Sequence, residues 1–235
     1  MRWVQAFVLA GWSGAYASGC AVSPPPIPIL DEPSLLVDVA YDPHAGSDHS
    51  HPATIPPTQI ASMLQGLQLE ARDVTGTGGF LNSGKTVPAF SQRDIKILAP
   101  LLATGLSKAS TRDLVRFYLV QQDVDGAPLV TSGGVFVHQQ HLYLILANGK
   151  TSPSSVQYET TYEPNSRLDP LLPIARFKFK AGFEPADWRI PTRQAKKIDG
   201  WDGYVDESKV VVIDLKQLAT AAEPTPVSPS SLPRH

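Results

Sequence analysis

The eleven residues DPHAGSDHSHP, 42–52, place His44, His49 and His51 beside Asp42 and Asp48. Neutral imidazole nitrogens and carboxylates are the donors that Zn²⁺, Cu²⁺ or Ni²⁺ take, and a loop wrapped around the ion could bring these groups to it. Between proline-rich flanks, the same residues also describe a solvated, flexible segment that preorganises no site. A second pair, His138 and His141, flanks Gln139-Gln140. If the glutamines form a hairpin turn, the two imidazoles are cross-strand neighbours about 5 Å apart. They could share a metal or titrate together, but exposed positions at a hairpin tip are the expectation.

Cations gather further along. In RFKFKAGF, 176–183, Arg176, Lys178 and Lys180 share one face of a strand, Phe177 and Phe179 the other, and Arg193, Lys196 and Lys197 follow. With Trp188 and Trp201, this edge forms the expected contact surface for an anionic polymer or an acidic protein partner. The plainer reading is an edge strand that charge protects from aggregation. In DGWDGYVDE, Asp199, Asp202, Asp206 and Glu207 are hard oxygen donors, yet their spacing is not that of the calcium loop, with donors at alternating positions and a terminal bidentate Glu.

GFLNSGKT, 79–86, fits the phosphate-loop pattern G-x-x-x-x-G-K-[ST]. Such a loop works by joining a buried strand to a helix whose N-terminus meets the phosphates. Here the preceding LEARDVTGTG has no apolar β-forming run, and Pro88 would stand at the fourth position of the required helix, where its ring and missing N–H oppose helix formation. No nucleotide site is expected. Neither G-x-S-x-G nor H-E-x-x-H occurs, and Glu184 and Asp187 beside Trp188 carry no catalytic signature by themselves. No catalytic residue, and no cofactor, is assigned.

The elements that would position these residues alternate in period. Residues 58–70 put Ile60, Met63, Leu64 and Leu67 near one helical face. From Ser91, with Asp94 three residues on as a capping box, Ile95, Leu98, Leu102 and Leu106 follow at helical spacing, and Pro100 should kink or break that helix. Residues 113–122, 129–138 and 141–150 read as a three-strand antiparallel meander, the last strand apolar on both faces. Residues 176–183 and 209–219 are further strands, the latter able to turn into a short helix. Helices followed by strands predict an α+β fold, an antiparallel sheet covered by one kinked helix and a second, shorter one.

The chain of 235 residues carries a formal charge of -2, which indicates no general pull toward nucleic acid or an anionic surface, and its 22 prolines cluster at the ends. MRWVQAFVLAGWSGAYASGC begins with Arg2, continues apolar from Trp3 to about Ala17 and ends in small residues, as a secretory signal does. The run is short of the roughly 20 apolar residues that a membrane span needs. Ala17-Ser18-Gly19-Cys20 resembles the lipobox of bacterial lipoprotein precursors, although Leu is usual where Ala17 stands. The resemblance implies cleavage before Cys20 and acylation of its thiol, and Ala21, in place of Asp, implies the outer membrane facing the periplasm. Cys20 is the single cysteine, so no internal disulfide competes for it. The alternative is cleavage after Ala17 and release as a soluble protein.

The resulting organisation is a signal peptide at 1–19, a lipidated Cys20 with a Pro/His-rich flexible stalk to 55, one globular domain at 56–220 and a Pro/Ser tail at 221–235. The functional expectation is a lipid-anchored envelope protein with a non-catalytic binding or scaffolding role. It would touch the membrane through its lipid, and envelope proteins or anionic envelope polymers through its body, but neither nucleic acid nor nucleotide. An envelope hydrolase and a metal-handling lipoprotein built on His44, His49 and His51 are the alternatives.

Overall fold

Period-two apolar runs dominate the chain, and in the computed structural model they pair into sheets. The structure describes residues 23–45, 49–71, 86–153, 167–174, 179–199 and 206–221. The order is β1 (Ile27–Glu32), β2 (Leu35–Tyr41), α1 (Pro57–Gly66), β3 (Leu67–Ala71), β4 (Thr86–Pro88), α2 (Gln92–Lys108), β5 (Asp113–Gln122), β6 (Pro128–His138), β7 (His141–Thr151), β8 (Phe179–Phe183), β9 (Arg189–Ile190), α3 (Thr192–Asp199), β10 (Val210–Asp214) and α4 (Leu215–Ala221). A seven-stranded antiparallel sheet runs β1-β2-β5-β6-β7-β10-β9, and a smaller one runs β4-β3-β8. The fold is α+β, and β5, β6 and β7 form the meander that their alternation predicts.

Strand alternation sends residues to two faces. On the inner face Val37, Val39, Val115, Phe117, Val135, Val137, Leu144 and Val211 join Ile60 and Met63 of α1, Leu98 and Leu102 of α2, and Leu218 of α4 in the principal core. On the outer face Leu114, Phe136, Tyr143, Ile145, Val210 and Val212 pack with Ala195 of α3. This explains why β7 is apolar at successive positions, with a burial pattern interrupted only at Lys150. Across the outer face, Arg116 grips Asp38 through Nε and Nη2 at 2.9 and 2.7 Å, a bidentate pair between register partners of β5 and β2.

Helix α2 starts on the capping box that its sequence predicts. The Asp94 amide donates to Ser91 Oγ at 3.2 Å, and the Ser91 amide donates to Asp94 Oδ2 at 2.9 Å. Pro100 lies inside the helix without ending it.

Two boundaries differ from expectation. Residues 27–41, assigned to a flexible stalk, are β1 and β2; Leu35, Val37 and Val39 are buried in the principal core, so the folded body begins well before residue 56. The proline-rich prefix hides the alternation of LLVDVAY, which is a strand pattern. The helix predicted over 58–70 ends at Gly66, and Leu67–Ala71 turns into β3. Gly66 lies where any Cβ would meet Glu184 O at 2.3 Å, so the helix ends at a close backbone crossing.

Gly133 is the tightest such point, since a Cβ there would lie 1.9 Å from Ile145 O, whereas at Gly182 the nearest atom is 3.5 Å away. Gly133→Ala should therefore destabilise by about 1–3 kcal/mol or more, while Gly182→Ala should be neutral or slightly stabilising. Urea midpoints of both variants check this, and equal midpoints would contradict the β6–β7 packing.

Candidate functional site

The histidines expected in a flexible loop and at an exposed tip are interior. His138 is 4% and His141 8% exposed, facing each other as register partners across the Gln139-Gln140 turn. Tyr143 stacks on Phe136 with centroids 4.7 Å apart, and His49 stacks on the same Phe136 at 4.3 Å. The hairpin tip is thus covered by residues 49–51, and burial follows from that cover rather than from anything local to the turn.

The connection is held by a series of specific bonds. Asp42 accepts from His49 Nε2 at 2.8 Å, with both side chains at 0% exposure. A carboxylate can only accept, so the His49 proton is on Nε2; its Nδ1 is buried with no hydrogen-bond partner. His51 is bonded on both nitrogens: the Val137 amide donates to Nε2 at 3.3 Å, and Nδ1 donates to Leu106 O at 3.4 Å. The Ser50 amide donates to Val137 O at 2.8 Å, and the Gln139 amide to Ser50 Oγ at 2.8 Å.

These contacts decide the chemistry of the cluster. His44 is exposed, its amide donating to Asp42 Oδ1 at 2.8 Å, and both His51 nitrogens are engaged. His44, His49 and His51 are therefore not brought to one point, and no group of three His, Cys, Asp or Glu among the described residues could hold a metal ion. Asp48 lies outside the described residues.

A different site forms between β8, β9 and the start of α3. A cleft of about 510 Å³ is lined by Lys180 of β8, Arg189 of β9, Thr192 and Arg193 at the start of α3, and Glu207 and Ser208. Glu184-Pro185 and the 3-10 turn Ala186–Trp188 link β8 to β9, and Trp188 packs on Phe183 with centroids 6.1 Å apart. Lys180 and Arg193 have acidic neighbours, Glu70 at 3.9 Å and Glu207 at 3.4 Å. Arg189 has none among the described residues; its contact is a marginal one, Nη2 to Val210 O at 3.5 Å, and Nε is buried with no partner. Burial lowers the pKa of this guanidinium below its ordinary value. Ser208 Oγ is likewise buried with no hydrogen-bond partner.

The residues of the expected cationic surface fall in different places. Lys180 lines the cleft and Trp188 packs on Phe183 against the principal core, whereas Arg176, Lys178, Trp201 and Cys20 lie outside the described residues. So does 79–85 of the phosphate-loop match, but Thr86–Pro88 is a strand paired with β3, and the next helix begins only at Gln92. Arg189 and Ser208 were missed by sequence reading. Their isolation is a property of the packing, and their types and spacing carry no signal of it. No protein-family model, curated protein or solved structure matches the chain.

His51 makes stability depend on acid. Burial, reinforced by His49, lowers its pKa from 6.5 to about 4, against the opposing effects of the Leu106 hydrogen bond and Asp113. Between those values the unfolded chain takes up a proton that the folded one refuses, so stability is complete above 6.5 and falls as the pH drops toward about 4. The loss is about 3 kcal/mol. A His51→Gln variant should be weaker at neutral pH and show less of that fall in urea unfolding; a wild-type stability flat across the window would contradict the buried neutral imidazole.

Proposed function

We propose that this chain is a lipid-anchored envelope protein, held at the outer membrane by acylated Cys20 and facing the periplasm, whose body binds an anionic envelope component without catalysis. The reading is supported from the N-terminal side by the signal-like segment and its lipobox resemblance. The observation that carries the binding role is the open cleft bearing Lys180, Arg189 and Arg193, in the region where the sequence concentrates cations. Only six residues separate Cys20 from Ile27, the first of β1. Such a segment reaches no more than about 25 Å, so the anchored body would sit close to the lipid surface rather than on a long stalk.

A hydrolytic role draws less support. Asp42 and His49 make the kind of acid–imidazole pair that general-base chemistry uses, but their side chains have 0% exposure and no substrate could reach them. A metal-handling role requires the convergence that His44, His49 and His51 do not make.

Fractionation with intact-mass measurement tests the anchor. The mature chain should begin at Cys20, carry acyl mass and sediment with outer membranes; a Cys20→Ser variant should lose both the mass and the membrane association. An unmodified chain beginning at residue 18, or one retaining Met1 in the cytosol, would contradict the proposal.

A further inference from the structure

We infer that the cleft between β8, β9 and α3 is a phosphate-binding site in which the Arg189 guanidinium and the Ser208 hydroxyl grip the oxyanion while Lys180 and Arg193 supply the surrounding field. This deepens the binding role proposed above and rests on it for location, though not for geometry.

Two independent anomalies meet at this place. Taking a cation out of water costs free energy that a fold normally offsets with a carboxylate, as Asp38 does for Arg116 on the outer face. At Arg189, which is half-buried, the offset is missing: no carboxylate among the described residues partners it, and its buried Nε has no hydrogen bond. Ser208 Oγ, lining the same cleft, is a second buried polar atom without a partner. Buried polar groups are ordinarily hydrogen-bonded, and exceptions call for a cause. Both groups can donate, so one bound acceptor would satisfy both.

The ligand class follows from the donors. A guanidinium fork presents parallel N–H groups to two oxygens of a phosphate or carboxylate. A carboxylate brings a single charge and two oxygens, and the fork occupies one acceptor site on each. A phosphate monoester offers three strong acceptor oxygens and about −1.5 to −2 charges, enough for Arg189, Ser208 and the flanking Lys180 and Arg193 together. At about 510 Å³ the cleft is of the size that takes a small ligand rather than a single ion, so the phosphate belongs to a larger molecule, either soluble or displayed on a lipid headgroup.

The test is titration of the full chain, in detergent, with inorganic phosphate and with acetate, followed by detergent-free flotation of its Cys20→Ser variant, which lacks the acyl anchor, with phosphatidylcholine vesicles with and without phosphatidic acid. Saturable heat with phosphate, weaker heat with acetate, and a shifted Arg189 Nε–H resonance are expected. Arg189→Gln and Ser208→Ala should each weaken phosphate binding by about tenfold or more. Because Arg189→Gln removes an uncompensated charge, its melting temperature should equal or exceed that of the parent. Selective flotation with phosphatidic acid would identify a headgroup; phosphate heat without flotation, a soluble ligand. Absence of saturable phosphate heat, or an unmoved Arg189 Nε–H resonance at saturating phosphate, overturns the inference even if neither variant folds. Loss of phosphate binding with acylated Cys20 intact would count against the cleft alone, whereas a phosphate-binding chain that is never acylated would support the cleft and remove the anchor.

Discussion

A single backbone group at the end of the central sheet governs how the chain closes on itself. Pairing of β5 with β6 stops at Val115 and Val135, which leaves the N–H and C=O of Val137 without a strand to meet them, in an interior where unmade backbone bonds are costly. The connection after β2 supplies both partners: the Ser50 amide donates to Val137 O, and His51 Nε2 accepts from the Val137 amide. An imidazole thus takes the position of a strand carbonyl. Its other nitrogen reaches Leu106 O in the last turn of α2, so one side chain ties sheet, connection and helix. His49 and Asp42 then close the outer face over Phe136, while Ile55 enters the inner core.

The same accounting separates polar groups that the fold satisfies from those it leaves without a partner. Asp38 with Arg116, Asp42 with His49, and Lys209, whose Nζ donates to Ala147 O at 3.4 Å and lies 4.8 Å from the Phe179 ring centre, are buried charges or dipoles with partners inside the fold. They hold elements together and offer little to a ligand. Arg189 and Ser208 differ in kind, because they are half-buried on the wall of an open cleft, each with one buried polar atom, Nε and Oγ, that no group of the fold bonds. His49 Nδ1 is also buried without a partner, but its side chain is wholly enclosed, whereas Arg189 and Ser208 line an open cleft.

Much of the architecture was legible in local pattern. Alternation over 113–150 gave the meander, Ser91 with Asp94 gave the start of α2, and KVVVIDLKQLA gave a strand running into a helix. Those features depend on neighbours in sequence. The failures depend on partners far away. Prolines at 24–28 suggested a stalk, although β2 immediately beyond them buries Leu35, Val37 and Val39. His138 and His141 read as exposed because a hairpin tip usually is, and their cover comes from residues roughly ninety positions earlier, as the Ser50 contact to Gln139 shows. The cationic strand is visible as a charge pattern, but Arg189 stands outside it in β9, and its want of a counterion among the described residues is decided by how β8, β9 and α3 meet, which no linear signal records.

The tautomer of His51 tests the closing contact most directly. Long-range ¹⁵N–¹H correlation spectra near neutral pH should show a neutral ring with the proton on Nδ1 and a bare Nε2 accepting from Val137. A ring protonated on Nε2, or an imidazolium, could not accept that amide, and either result would contradict the account of how the connection, the sheet and α2 are held together.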